Sequence, residues 1–259
     1  MLEKPNNNKT PDSRRDFIKS SSLAAAGFFI VPRFVLGGKG HVAPSDKVNV
    51  GMIGVGGKGR QNAQDLMKLD DVQITAIADP AEYWDLANFY YKSIAGRHPV
   101  KRMVEDHYED KTENFKVNEY LDFREMLEKE KGLDAICCST PDNTHAVITY
   151  ASMKSGKHVY CEKPLTHNIW EARMIKDLTK ETGLATQMGN VGHSTDGIRQ
   201  TVEYLRAGVI GEVKETHSWV PASRWIDEMQ AVPTTNTQKP HGFDWDLWLG
   251  PSANRPFHE

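Results

Sequence analysis

The sequence predicts an α/β chain built on a doubly wound parallel sheet, with a second unit beginning near Val191. Three observations predict it. Apolar runs of strand length, such as "LDAICCST" at 133–140, lack the alternation of a half-exposed sheet and suit strands covered on both faces. They alternate with stretches of helical spacing, which implies βαβ units and parallel pairing. Beyond about Val191 that alternation gives way to a polar, turn-rich tail.

The elements follow in order. "KVNVGMIG" (47–54) is a β-branched run ending in glycines, hence a first strand, and "RQNAQDLMKL" (60–69) carries Ala63, Leu66, Met67 and Leu69 at helical spacing. "VQITAIAD" (72–79) is a second strand that ends in an acid. Residues 81–94 read as a helix rich in aromatics, and the polar, aperiodic stretch 96–116 as a surface insertion. A short edge strand lies within 116–123, and Asp122 with Glu125 has the spacing of a capping box. "LDAICCST" is the fourth strand. A helix over 144–155 stops at Gly156. "KHVYCE" (157–162) is the fifth strand, Thr166 caps a helix ending at Gly183, and "LATQMGN" (184–190) is the sixth strand. In the second unit a helix over 194–206 stops at Gly208, and "EVKETHSWV" (212–220) alternates as a half-exposed strand.

With 259 residues the chain has room for one large domain or two ordinary ones. Its net charge of −3 and the lack of a basic run after the first twenty residues exclude a nucleic-acid surface. The cysteines at 137, 138 and 161 form no CxxC, and the ten histidines show no ligand spacing, so no metal site is expected. Cys137 and Cys138 are adjacent in a strand and point to opposite faces, which suits buried, unpaired thiols.

Residues 1–45 read as an address rather than as fold. "SRRDFIK" (13–19) precedes the short apolar run "LAAAGFFIV" (23–31), in the manner of the twin-arginine signal that exports folded proteins. The expectation is a periplasmic or exported protein that uses the twin-arginine machinery, membrane-anchored if the segment stays uncleaved. The apolar run is short for a membrane span.

"GVGGKG" places glycines at 54, 56, 57 and 59, with Lys58 between the last two, directly after a strand and at the start of a helix. Asp79 follows at the end of the next strand. Glycines there let the backbone turn tightly and approach a pyrophosphate at the positive end of the helix, and the acid accepts hydrogen bonds from ribose hydroxyls. It would repel a 2′-phosphate, so the cofactor expected is NAD rather than NADP. "STPDNTH" (139–145) puts Ser139, Thr140, Asp142 and His145 at the carboxyl end of the fourth strand, where ligands of open α/β sheets bind. For His145 a cofactor contact and a capping role stay open. "CEKP" puts Glu162 and Lys163 at the same edge of the fifth strand. An ammonium there would stand near the nicotinamide, and partial desolvation makes it a better acid–base group. The other reading of Lys163 is a surface lysine paired with Glu162.

"GVGGKG", Asp79, "STPDNTH", "CEKPL" and "MGNVGHS", in this order and spacing, resemble the glucose–fructose oxidoreductase/inositol dehydrogenase (Gfo/Idh/MocA) family from about Asp46 onward. The resemblance implies a Rossmann domain over 46–190. It also implies the start of a C-terminal α+β domain over 191–259, built on an open antiparallel sheet that mediates homo-oligomerisation. It implies a sugar or cyclitol substrate, Lys163 touching both substrate and nicotinamide, Glu162 and Pro164 setting its position, and Asn190 and His193 facing the substrate. The family's Asp-x-x-x-His pair does not occur after His193: Asp244 leads to Trp248, and Asp246 to Gly250. The catalytic base is therefore expected beyond residue 259, and the chain is expected to stop inside its second domain. Trp245, Trp248 and Phe257 need a partner surface.

The function expected is hydride transfer between a sugar or cyclitol carbinol carbon and nicotinamide. A glycosidase or epimerase that returns the hydride to its own substrate is the alternative on the same fold. A non-catalytic NAD- or sugar-binding protein is the alternative from another class.

Overall fold

The structure, a computed structural model, describes residues 42–219 except 111 and 113, and residues 231–258. The twin-arginine segment lies outside the described residues. All six strands expected of the parallel sheet are present: β1 (Val48–Ile53), β2 (Val72–Ala78), β5 (Asn118–Tyr120), β6 (Ala135–Cys138), β7 (His158–Glu162) and β8 (Thr186–Gly189). They pair in the order β5-β2-β1-β6-β7-β8, every pair parallel. Counted along the chain, that is the strand order 3-2-1-4-5-6 of the dinucleotide-binding Rossmann sheet, with its switch point between β1 and β6.

Helices cover both faces: α1 (Gly57–Leu66), α2 (Arg97–Glu109), α3 (Phe123–Lys129), α4 (His145–Lys154) and α5 (Ile169–Thr182). Adjacent strand residues feed opposite cores. Met52 and Cys137 pack with Ile74, Ile77, Val100 and Val104 on one face, whereas Ile53 and Cys138 pack with Met126, Ile136, Ile148 and Met153 on the other. Each Val, Ile or Met side chain among them, fully buried, stabilises the fold by roughly 1.5–3 kcal/mol. The three cysteines are buried and free, as expected.

Several expectations need correction. Residues 81–94 are not a helix. They hold a two-stranded antiparallel hairpin, β3 (Trp84–Asp85) with β4 (Ile94–Ala95). Local helix propensity there is weak, and aromatic packing decides: Trp84 meets Phe243 edge-on at 4.9 Å, and Phe89, Tyr90 and Tyr91 stack on one another. Nor is 96–116 a structureless insertion, since α2 occupies most of it. The helix buries Val100, Val104 and Tyr108, a four-residue spacing that polar neighbours concealed. Asp122 caps α3 by accepting from the Arg124 amide, without the reciprocal bond of a capping box. The α5 cap is Asn168, not Thr166, and its box is complete with Glu171.

Past β8 the described chain has α6 (Asp196–Arg206) and α7 (Trp245–Leu249). Residues 212–219 form no strand. The sheet expected of them needs partner strands, and the described residues supply none there. No described helix is long and apolar enough to cross a membrane.

Candidate active site

Strand register builds the site. Ile53 lies opposite both Ala78 and Cys138, Cys138 lies opposite Cys161, and Glu162 opposite Gly189. The residues that follow these partners therefore emerge together at one edge of the sheet: Gly54, Asp79, Ser139, Lys163 and Asn190.

The glycine turn is shaped for close approach. Gly54 has φ of 80°, and a Cβ on it would meet the Thr140 backbone nitrogen at 2.7 Å. On Gly59 a Cβ would lie 2.0 Å from the Gly54 carbonyl oxygen. Only a hydrogen fits at either position, and α1 opens directly behind the turn. Gly56, Gly57 and Lys58 line a cavity of about 780 Å³ in front of it.

Asp79 forms the far wall. Its Oδ2 accepts from the Val55 amide at 2.7 Å and its Oδ1 from the Ala81 amide at 2.8 Å, so the carboxylate locks the glycine turn to the end of β2. Burial raises its pKa, against the lowering effect of those two amides and of Arg97. A carboxylate has about four lone-pair sites, which leaves acceptors for ribose hydroxyls.

Ser139, Thr140, Pro141 and Thr144 close the cavity on the β6 side. Asp142 is exposed at the start of a 3-10 turn. The cofactor contact considered for His145 is not where the structure puts it. The ring is 1% exposed and turned into the protein, with Nδ1 2.6 Å from the Pro164 carbonyl oxygen and Nε2 2.8 Å from that of Thr140.

Lys163 is exposed just past β7 and precedes a cis peptide bond to Pro164. It is not paired with Glu162, the alternative weighed for it. Glu162 is buried, and its Oε1 accepts from Asn62 Nδ2 at 2.9 Å and Tyr160 Oη at 3.2 Å and lies 3.4 Å from Lys58 Nζ. Burial and Glu162 together push the Tyr160 phenol up to about 12. Asn62 also donates to Ser139 Oγ at 2.9 Å, tying α1 to the ends of β6 and β7. Asn190 follows β8 beside Lys163, and His193 lies in the next turn, both exposed.

Sequence reasoning missed the cavity's aromatic wall. Trp84, Phe89 and Tyr91 of the hairpin line it together with Phe243 and Trp248. Trp245, Trp248 and Phe257 do find a partner surface, the hairpin side of the Rossmann unit, where they pack around Ala81 and Phe243. The tail is pinned at both ends of the cleft. The Glu82 amide donates to Gly242 O at 2.9 Å, and Asn143 Nδ2 donates to Leu249 O at 2.9 Å. Asp244 caps α7 through the Leu247 amide. The aromatic density of "FDWDLWLGP" was the available clue.

Residues 48–190, more than half of the chain, match the Gfo/Idh/MocA family, an oxidoreductase family with an NAD-binding Rossmann fold. The chain belongs to this family. A "Glycosyl hydrolase family 109 protein" of Shewanella baltica (strain OS155) is 26% identical over 229 residues, 82% of this chain and 47% of that protein. An "uncharacterized oxidoreductase" of Streptococcus pneumoniae is 25% identical over 185 residues, 71% of this chain and 43% of its own. The chain thus spans about half the length of the curated relatives it matches. Among solved structures, a 3-ketoreductase from Actinomadura kijaniata in complex with NADP has a TM-score of 0.50 at 24% identity. That likeness covers 64% of this chain and 46% of the other and bears on the fold. The glycine cradle, the helix terminus behind it and the carboxylate opposite suit the NAD(P) of this family.

Proposed function

We propose that this chain is the cofactor-binding part of an exported, NAD-dependent oxidoreductase acting on a hydroxyl-bearing carbon of a sugar or cyclitol. One observation carries the reading. Strand register brings a cavity lined by the glycine turn and Asp79 and an exposed lysine to the same edge of the sheet.

When bound, NAD supplies the hydride acceptor at its nicotinamide. The chain's own residues do the rest. The turn at Gly54–Gly59 and the amides opening α1 hold the pyrophosphate. Asp79 accepts from the ribose hydroxyls and disfavours a 2′-phosphate. Lys163 donates to the substrate hydroxyl oxygen and stabilises its deprotonated form, while Asn190 and His193 orient the substrate. Glu162 is engaged by Asn62, Tyr160 and Lys58 and fixes the strand end from which Lys163 projects. The second domain is proposed to supply the proton acceptor and an oligomer interface. The basic motif at 13–19 supports export.

A second reading is favoured by the names of the Shewanella relatives: the hydride is returned to the same sugar during a glycosidic cleavage. Two experiments test the proposal. Nucleotide released by denaturing the purified protein should be NAD(H), and recovery of NADP(H) alone would overturn the role of Asp79. Net NADH formed from a sugar or cyclitol supports the dehydrogenase, whereas turnover without net NADH supports the second reading.

A further inference from the structure

His145 and its surroundings carry a device that the reaction described above does not use. Both ring nitrogens face carbonyl oxygens, Pro164 O at 2.6 Å and Thr140 O at 2.8 Å. Carbonyl oxygens only accept, so the ring satisfies both bonds only when each nitrogen carries a proton. A ring protonated on both nitrogens is a cation, and neither bond goes to a carboxylate.

Two thiols lie close to the ring. The side chains of His145, Cys138 and Cys161 approach one another within 4.8 Å, all three buried. Thr140 Oγ1 lies 3.4 Å from Cys138 Sγ. The other residues that α5 turns toward this core are Ile175 and Leu178, which carry no charge. Burial acts to raise the Cys138 thiol, but a hydrogen bond from Cys161, the charge of His145 and the Thr140 hydroxyl outweigh it and hold Cys138 below the ordinary thiol range. Cys161, as the donor, is pushed the other way.

We propose that Cys138 and His145 form a buried thiolate–imidazolium pair that pins the Lys163–Pro164 turn to the carboxyl end of β6. His145 is then a positioning residue. Its two donors bridge the backbone that lines the cofactor cavity to the backbone that carries Lys163. The pair stands on its own geometry, and only its consequence for catalysis rests on the proposed role of Lys163.

The native protein at neutral pH should show the ultraviolet thiolate band of one cysteine, and the band should vanish on unfolding in urea at the same pH, where thiols titrate normally. This measurement needs no variant. No thiolate band in the native state, or one that persists in Cys138→Ala, overturns the pair. Nitrogen NMR of His145, assigned by its loss in His145→Gln, should show both ring nitrogens protonated; a ring with one bare nitrogen overturns the proposal. Amide exchange across 161–165 should quicken about tenfold or more in Cys138→Ala and His145→Ala, and recover in part in His145→Gln, which keeps one donor nitrogen in place of two. Unchanged exchange in both alanine variants overturns the positioning role. A protein that shows the band but binds no NAD would refute the proposed function and leave the pair standing.

Discussion

The two ends of the sheet's carboxyl edge are built by different means. At the β1–β2 end the cleft is walled by backbone and aromatic packing: Gly54 and Gly59 admit no side chain, Asp79 is held by two amides, and Trp84, Phe243 and Trp248 close the side. At the β7–β8 end Lys163, Asn190 and His193 are exposed, and only the register of their strands and the bonds beneath them fix where they start. Holding a dinucleotide is thus a property of packing within this unit. In the proposed reaction, the substrate meets side chains that stand exposed at this end.

Substitutions along the edge test that contrast through NAD affinity. Gly59→Val has the largest expected effect, a loss of about a hundredfold or more measured by calorimetry, because its side chain would overlap the Gly54 carbonyl. Asp79→Ala should weaken NAD binding by about tenfold to a hundredfold and reduce the preference for NAD over NADP, since bonds to a charged acceptor contribute about 1.5–3 kcal/mol. An unchanged preference would remove Asp79 from the ribose. Trp248→Ala should cost roughly threefold to tenfold, the scale of one aromatic contact, and Trp fluorescence quenching by NAD should shrink with it. Lys163→Ala should change NAD affinity by less than about threefold, yet lower hydride transfer by about a hundredfold or more. A large loss of NAD affinity there would erase the distinction between the two ends.

Most of the prepared end was legible in the sequence. The strands announce themselves as apolar runs, and "GVGGKG" with Asp79 states its chemistry because only glycine satisfies the geometry at 54 and 59. Two features were not legible, for a shared reason. The hairpin over 84–95 and the wall from 243–257 are each other's packing partners across more than 140 residues, and neither has a local periodicity that reveals the other. His145 was ambiguous for a similar reason. Its partners are backbone carbonyls at Thr140 and Pro164, and backbone bonds leave no trace in residue types. Lys58 was placed with the cofactor-binding glycine motif, and its neighbour is Glu162, more than 100 positions away.

The measurement that tests the central claim most directly is a crystal structure with NAD bound. The account predicts adenosine between Asp79 and the aromatic wall, pyrophosphate at the turn before α1, and the nicotinamide beside Lys163, with Nζ able to reach within about 3 Å of a hydroxyl oxygen placed at C4. A dinucleotide whose nicotinamide points away from β7, leaving Lys163 in solvent, would contradict it.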